Sequence, residues 1–378
     1  MVALRKIGFF LGLFIVLGAL LLIGSVFYEF KYAPLLKKPR AEVVTIKIFP
    51  GTGTDYLISD LHQQGLIRFP GLWRSFSFIS NLTQRFKAGE YEIKPGMSFS
   101  KLLNNIVRGR VYNRKLVVIE GWTYKNLLRI LQKNTVLQHV LNPQNQSAVM
   151  ALLGSKEPRP EGMFFPDTYF YTWGNSDLEV LRYAYKKMQR VLIRAWNERA
   201  DDVPYKDPYE ALIVASLIEK ETAQASERPI IASVILNRLQ KNMPLQIDPT
   251  VSYGLGDARM KLKLSHLKLY TVYNTYLLRG LPPTPISLPG KACIEAAMHP
   301  MQTQYLYYVS RGDGSHQFSE TYTQHLEGVN KYIRSKPNMT LLREERFPFE
   351  GILQLRSMVV NKHFCERTWK QNVAISSR

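Results

Sequence analysis

Residues 7 to 28 run from Ile7 to Tyr28 without a single charge, immediately after Arg5 and Lys6. A stretch of about 20 apolar residues matches the hydrocarbon thickness of a bilayer. In lipid only a helix or a closed barrel satisfies its own backbone, so this run must be helical. It is longer than a usual signal-peptide core, and no A-x-A cleavage site comes after it. The spacing therefore predicts an uncleaved single-pass anchor over residues 1–30. Basic residues before the span predict a cytoplasmic N-terminus. Lys31, Lys37, Lys38 and Arg40 pull the other way, but a long following domain is translocated largely regardless of nearby charge. The alternative is a buried core helix, which is rarely so long or so free of charge.

The chain beyond the span has to fold outside the bilayer. It belongs to a sequence of 378 residues, enough for two domains with appendages. Its 50 Lys and Arg against 30 Asp and Glu give a net charge of +20, which suits a polyanionic partner such as nucleic acid, anionic lipid or an acidic wall polymer. No helix-turn-helix, zinc-finger or RRM signature accompanies the charge, which disfavours nucleic acid. Two cysteines, Cys293 and Cys365, allow one disulfide and exclude both a disulfide scaffold and a metal motif.

Residues 31–42 carry Pro34, Pro39 and scattered bases and read as a tether. Val43 to Ile48 is rich in β-branched residues and reads as a strand, bounded by Pro50-Gly51-Thr52-Gly53. Thr54 or Asp55 caps a helix ending near Gly65, and a polar and aromatic stretch runs on to Gln84. Lys87 to Ile93 is a second strand, Phe99 to Val107 a helix closed by Gly109, and Leu116 to Ile119 a third strand. Residues 43–118 thus form a small α+β module with no catalytic set, so its expected role is binding or positioning.

The larger second domain, residues 119–336, is also a mixed α+β fold. Tyr124 to Gln132 and Asp177 to Arg199 have helical spacing. The loop from Glu161 to Tyr171 is dense in aromatics and carries two carboxylates; it either walls a carbohydrate groove or packs into the core with Asp167 capping a turn. Gln246, Asp248 and Tyr253 sit on a Pro-bounded loop able to present side chains to a cleft. Gly280 to Gly290 is Pro-rich and extended. His316 and His325 belong to a last polar cluster, where structural roles are the commoner ones. Residues 337–378 read as a basic accessory tail. No Ser-His-Asp set, phosphate loop or zincin motif occurs, and no cofactor or metal is called for.

The centre of this domain is Tyr209 to Ile218, apolar or small on nearly every side and so expected to be a buried helix. At about 100° per residue, Leu212, Ala215, Ser216, Thr222 and Ala223 surround Glu219, and most of them are small. That face has room above it. Glu221 falls among Val214, Leu217 and Ile218 and is expected to reach out to a base. The helix should end near Thr222, with a new one from Glu227. Glu219 then lies in a C-terminal turn, where the macrodipole disfavours an anion, and burial raises its pKa further. A carboxyl protonated near neutral pH suits general-acid chemistry at a glycosidic oxygen. The plainer reading is a core-edge Glu satisfied by a lysine or an amide.

Several motifs stand in a characteristic order: Glu161-Gly162-x-x-Phe165-Pro166-Asp167-Thr168-Tyr169; Glu219-Lys220-Glu221-Thr222 with Ser226-Glu227-Arg228; Gln246-x-Asp248-Pro249-Thr250; Tyr273-Asn274-Thr275-Tyr276; Gly280-Leu281-Pro282-Pro283; and His316-x-Phe318-Ser319-x-Thr321-Tyr322. Together, over about residues 43–333, they resemble the YceG-like family of endolytic murein transglycosylases. The resemblance implies a bacterial inner-membrane protein with its bulk in the periplasm and a LysM-like module before the catalytic domain. It implies Glu219 as the catalytic acid, with Glu161, Gln246, Asp248 and Asn274 as substrate-binding residues of the cleft. The implied reaction cuts the MurNAc–GlcNAc β-1,4 bond within nascent strands and leaves 1,6-anhydro ends, alongside peptidoglycan synthases as partners. One rival is hydrolysis with Glu221, Asp248 or Glu161 as a second carboxylate; another is a membrane-anchored, non-enzymatic wall-binding or scaffold protein.

Overall fold

The computed structural model describes residues 2–36, 43–67, 69–79, 86–257 and 260–334. The expected tail, Cys365 and most of the expected tether lie outside the described residues. The described chain is mixed α+β and divides into two compact units. One holds residues up to 116 with 136–138 and 170–175, the other 117–135, 139–169 and 176 onward.

The first unit begins with α1 (Val2–Lys31). Its segment Phe9–Lys31 is long and apolar enough to cross a membrane, and the side chains from Phe9 to Ser25 are exposed. At its end Phe30 turns inward, its ring 5.8 Å from Trp73 and 5.3 Å from Phe99. Leu35 and Leu36, expected in a tether, are buried as well. Strand β1 (Thr45–Ile48) pairs antiparallel with β2 (Gly89–Glu92), Thr45 opposite Glu92 and Ile48 opposite Gly89. Between them run α2 (Thr54–Gln63) and α3 (Pro70–Ile79), the second falling where the sequence suggested only an irregular stretch. Helix α4 (Phe99–Arg108) comes next, ended by Gly109 in the left-handed conformation. Leu57, Ile58 and Leu61 of α2 and Phe99, Leu102, Leu103 and Ile106 of α4 recur at helical spacing. They close one core over Ile46, Ile48 and Tyr91. The chain passes between the units at β3 (Arg114–Val117) and again at β4 (Thr168–Tyr171).

The second unit is largely helical: α5 (Tyr124–Gln132), α6 (Gln146–Leu152), α7 (Asp177–Asn197), α8 (Pro208–Glu221), α9 (Arg228–Gln240), α10 (Asp248–Gly254), α11 (Lys291–Met298) and α12 (Tyr322–Val329). Strands β5 (Tyr307–Ser310) and β6 (His316–Ser319) make an antiparallel hairpin, Tyr307 opposite Ser319. Helix α8 starts at Asp207, whose carboxylate accepts the Glu210 N–H, with Pro208 at the first position. Every residue from Ala211 to Glu219 is buried. Such an all-round apolar helix is stable only as the middle of a core, and α7, α9, α10 and α11 pack around it. That position sets where the carboxyls at its C-terminal end can point.

Candidate active site

Glu219 lies on the last turn of α8 and is 6% exposed. Its Oε2 accepts the N–H of Gly290 at 3.0 Å. Gly290 is the residue just before α11, so the carboxyl sits where a helix start offers a free amide. The Cys293 thiol, one turn further along α11, also bonds to the carboxyl. Burial raises the Glu219 pKa above the usual carboxylate range; the Gly290 amide and Cys293 oppose this, Glu120 adds to it, and Arg228 lowers it. The same surroundings, burial foremost, push the Cys293 thiol up and keep it protonated.

Two glycines make room here. A Cβ on Gly290 would fall 2.0 Å from Oε1 of Glu120, so only a bare Cα lets that carboxylate lie against it. Gly121, at φ +74°, stands so that a Cβ would meet Glu219 Cγ at 3.8 Å and Oε1 at 3.9 Å. Its backbone is paired to the Pro-rich loop: Gly121 N–H donates to Leu288 O at 2.9 Å, and Leu288 N–H to Trp122 O at 2.6 Å. The loop is pinned to α8 in turn. Ser216 Oγ accepts the Ile286 N–H at 3.0 Å, and Ser287 Oγ donates to Ser216 O at 3.2 Å. The small-residue face of α8 is thus covered by the Pro-rich loop at Ser216, and the same loop reaches Glu219 through Gly290.

The other residues singled out by sequence divide into two groups. Glu161 flanks the same loop as Glu219: it accepts the Tyr124 N–H at 2.9 Å, at the first turn of α5, and the Tyr253 hydroxyl at 3.0 Å. Burial lifts its pKa to about 7 against these bonds. Asp248 instead lies close enough to Glu221 for its charge to act on it, and Gln246 joins them through Arg238. Tyr276 donates to Asp248 at 2.5 Å, and Tyr308 donates to Glu221 at 2.9 Å. Burial raises Asp248 to about 6 and Glu221 to about 8. The partner of Glu221 is therefore a buried tyrosine hydroxyl rather than a base reaching from the surface. Gln246 adopts φ +53°; its Oε1 accepts from Arg238 at 3.4 Å, and the same guanidinium spans the Leu306, Pro244 and Leu245 carbonyls.

Asn274 corrects the expectation of a cleft residue. It is 0% exposed, its Nδ2 donates to the Leu267 and Leu269 carbonyls, and its Oδ1 accepts the Tyr276 N–H. All its polar capacity holds its own loop. The aromatic loop is likewise packed: Met163, Phe164, Phe165 and Tyr169 are buried, and Asp167 pairs with Lys187 and caps Thr168. His316 is held by Glu227 through both its N–H and Nδ1, at 2.8 and 2.7 Å. His325 is buried and pushed down to about 4. Sequence reasoning missed Glu120, Arg228 and Gly290; the one available signal was a glycine directly before a helix start, where it leaves an amide accessible.

A family model described as the YceG-like family matches residues 46–331. The chain belongs to the YceG-like family. Relatives include an endolytic murein transglycosylase of Bacillus subtilis (strain 168), 28% identical over 334 residues, covering 84% of this chain and 92% of that one. A protein of the same description from Streptococcus pneumoniae serotype 2 is 24% identical over 363 residues, covering 86% of this chain and 65% of its own length. A crystal structure of a YceG-like protein from Listeria monocytogenes is 29% identical, covers 76% of this chain and 99% of that one, and superposes with a TM-score of 0.48.

Proposed function

We propose that this protein is an endolytic murein transglycosylase in which Glu219 is the single acid and base. The observation that carries the reading is the state of Glu219: buried, biased toward its protonated form, and bonded by the Gly290 amide and the Cys293 thiol with no ion pair. The Gly290 amide engages Oε2, and we assign Oε1, which lies beside Gly121, as the oxygen that carries the proton. Oε1–H protonates the glycosidic oxygen as the C1–O bond of the muramyl residue breaks. The resulting carboxylate then takes the proton of the muramyl C6 hydroxyl, whose oxygen bonds to C1 and closes the 1,6-anhydro ring. No water is consumed, and the acid is returned protonated. This route needs one carboxyl where ordinary glycosidases need two. The names carried by relatives matched over most of this chain support the substrate class.

Glu161, with its raised pKa and its place beside the same loop, is the further residue we assign to the cleft margin. Gln246 and Asp248 are assigned to the wall behind α8. We read the first unit, residues 43–118, as a LysM-like strand-holding module ahead of a catalytic domain over 119–336, with 337–378 as an accessory tail. The exposed apolar face of α1 supports a single-pass anchor, and we assign the N-terminus to the cytoplasm and the bulk to the periplasm of an inner membrane. Peptidoglycan synthases are the partners this placement calls for.

Digestion of purified sacculi tests the reading. Mass spectrometry should find anhydro-ended fragments from the wild type and none from Glu219→Gln. Reducing ends one water heavier would sink the non-hydrolytic route, and binding without any cleavage would sink the enzyme.

A further inference from the structure

Arg228 has no counterpart in the chemistry described so far. It occupies the first position of α9, with Pro229 next. A cation at a helix N-terminus faces the positive end of the macrodipole, and the first turn of α9 holds no acidic residue to offset it. The preceding Glu227 is fully engaged by His316 and Thr222. Among the described residues Arg228 makes no ion pair and no hydrogen bond, and its Nε is a buried donor with no partner. A buried N–H left without an acceptor is costly. Thr222, three residues after Glu219, donates to Glu227 at 3.1 Å and so holds the start of α9 against the end of α8, and the Arg228 charge acts on both Glu219 and Cys293.

An unfilled guanidinium beside a carboxyl that must stay protonated is poorly placed as a partner for that carboxyl. It is suited to an anion brought by the substrate. Arginine presents a planar fork that matches a carboxylate with two parallel bonds. Murein carries carboxylates only on the muramyl side: along the peptide stem, and on the lactyl group once the stem is removed. The N-acetylglucosamine residues carry none. We propose that Arg228 is a substrate-binding residue that grips a carboxylate borne by the muramyl residue at the scissile bond, and so distinguishes muramyl from glucosaminyl in the subsite beside Glu219. The inference rests on the transglycosylase reading and names the part of the substrate this site reads.

The test compares full-length wild type with Arg228→Gln and Arg228→Lys on two substrates: glycan strands with intact stems, and strands stripped by an amidase. Each is used as prepared and after its carboxylates are capped as methylamides. Losing one charge-assisted contact should raise KM roughly tenfold in Arg228→Gln, with kcat changed much less. Arg228→Lys should recover part of the loss. Capping should raise the wild-type KM by a similar factor and leave Arg228→Gln unaffected. An effect confined to stem-bearing strands assigns the carboxylate to the stem; one present on stripped strands assigns it to the lactyl group. Equal KM for wild type and Arg228→Gln, or equal sensitivity of both to capping, overturns the proposal. Strand binding measured on Glu219→Gln with and without Arg228→Gln separates the same outcomes without turnover. Loss of cleavage by the wild type itself would count against the transglycosylase reading alone.

Discussion

Glu90 in the first unit and Glu219 in the second are both buried carboxyls, 1% and 6% exposed, and they are provided for in opposite ways. Glu90 receives two bonds from the Arg114 guanidinium, at 3.2 and 2.7 Å, and a third from Thr45 at 2.7 Å. Its charge is neutralised and its lone pairs are taken. Glu219 has an amide on one oxygen and a bond from the Cys293 thiol, and Arg228, whose charge acts on it, makes no ion pair with it. Burial alone therefore does not make a reactive acid. What matters is whether the fold supplies a counter-charge in contact, and at Glu219 it withholds one.

The largest expected break in this contrast is Glu219→Gln, which should reduce release of anhydro-ended product by about a thousandfold or more while leaving the melting temperature close to wild type. Gly290→Ala comes next. Its Cβ would strike the flexible end of Glu120, which has to swing away and takes its charge from Glu219, so a fall of about tenfold or less in kcat/KM is expected. Glu90→Gln should act on stability instead. Removing one partner of a buried pair typically costs about 3–5 kcal/mol, and about 1–3 kcal/mol is expected here because Arg114 is partly exposed. Chemical denaturation should show this loss. A drop in activity on soluble strands under folding conditions would mean the two carboxyls are not separable as described.

The smallest effects concern pH. Glu219 must be protonated to act, so kcat/KM should fall as pH rises through its raised pKa. Glu120→Gln, which removes a charge that opposes ionisation of Glu219, should move that limb to lower pH. For stability, Glu221 is raised to about 8 from an ordinary value near 4.5. Its contribution is therefore complete below about pH 4.5 and lost as pH climbs toward 8. Thermal melts from pH 5 to 8 should show a declining stability, and Glu221→Gln should flatten that decline. A slope unchanged by the substitution would mean the Tyr308 bond keeps Glu221 from titrating there.

Much of this was legible because local pattern and tertiary environment agree. The unbroken apolar run of α8 could only be interior, and 100° spacing puts Glu219 and Glu221 on different faces, with different partners. Helices α5 and α7 announce themselves through Thr123 and Ser176, both capping boxes in the structure. Several elements escaped, α10, α3 and β6 for identifiable reasons. Helix α10 has seven residues, too few to display a period, although Pro249 near its start was a usable signal. Helix α3 begins at Pro70 with the same hint. Strand β6 is half-buried and polar, and becomes a strand only by pairing with β5. The companions of Glu219 were illegible for a different reason. Glu120, Arg228 and Gly290 approach from separate parts of the chain, and no periodicity connects them. Asn274 misled because an amide that fastens its own backbone reads, in one dimension, like one offered to a ligand.

Ser216 gives the acid and its amide donor a common mount. It sits one helical turn before Glu219 and fastens Ile286 and Ser287, a few residues before Gly290. Breathing of the surrounding domain thus carries proton and donor together, preserving their separation. The same arrangement makes the span from Ser287 to Gly290 a fixed ruler: one residue inserted there would slide the amide by up to about 3.3 Å along an extended chain, beyond hydrogen-bonding reach of Oε2. Sequence in that span can drift, but its length cannot.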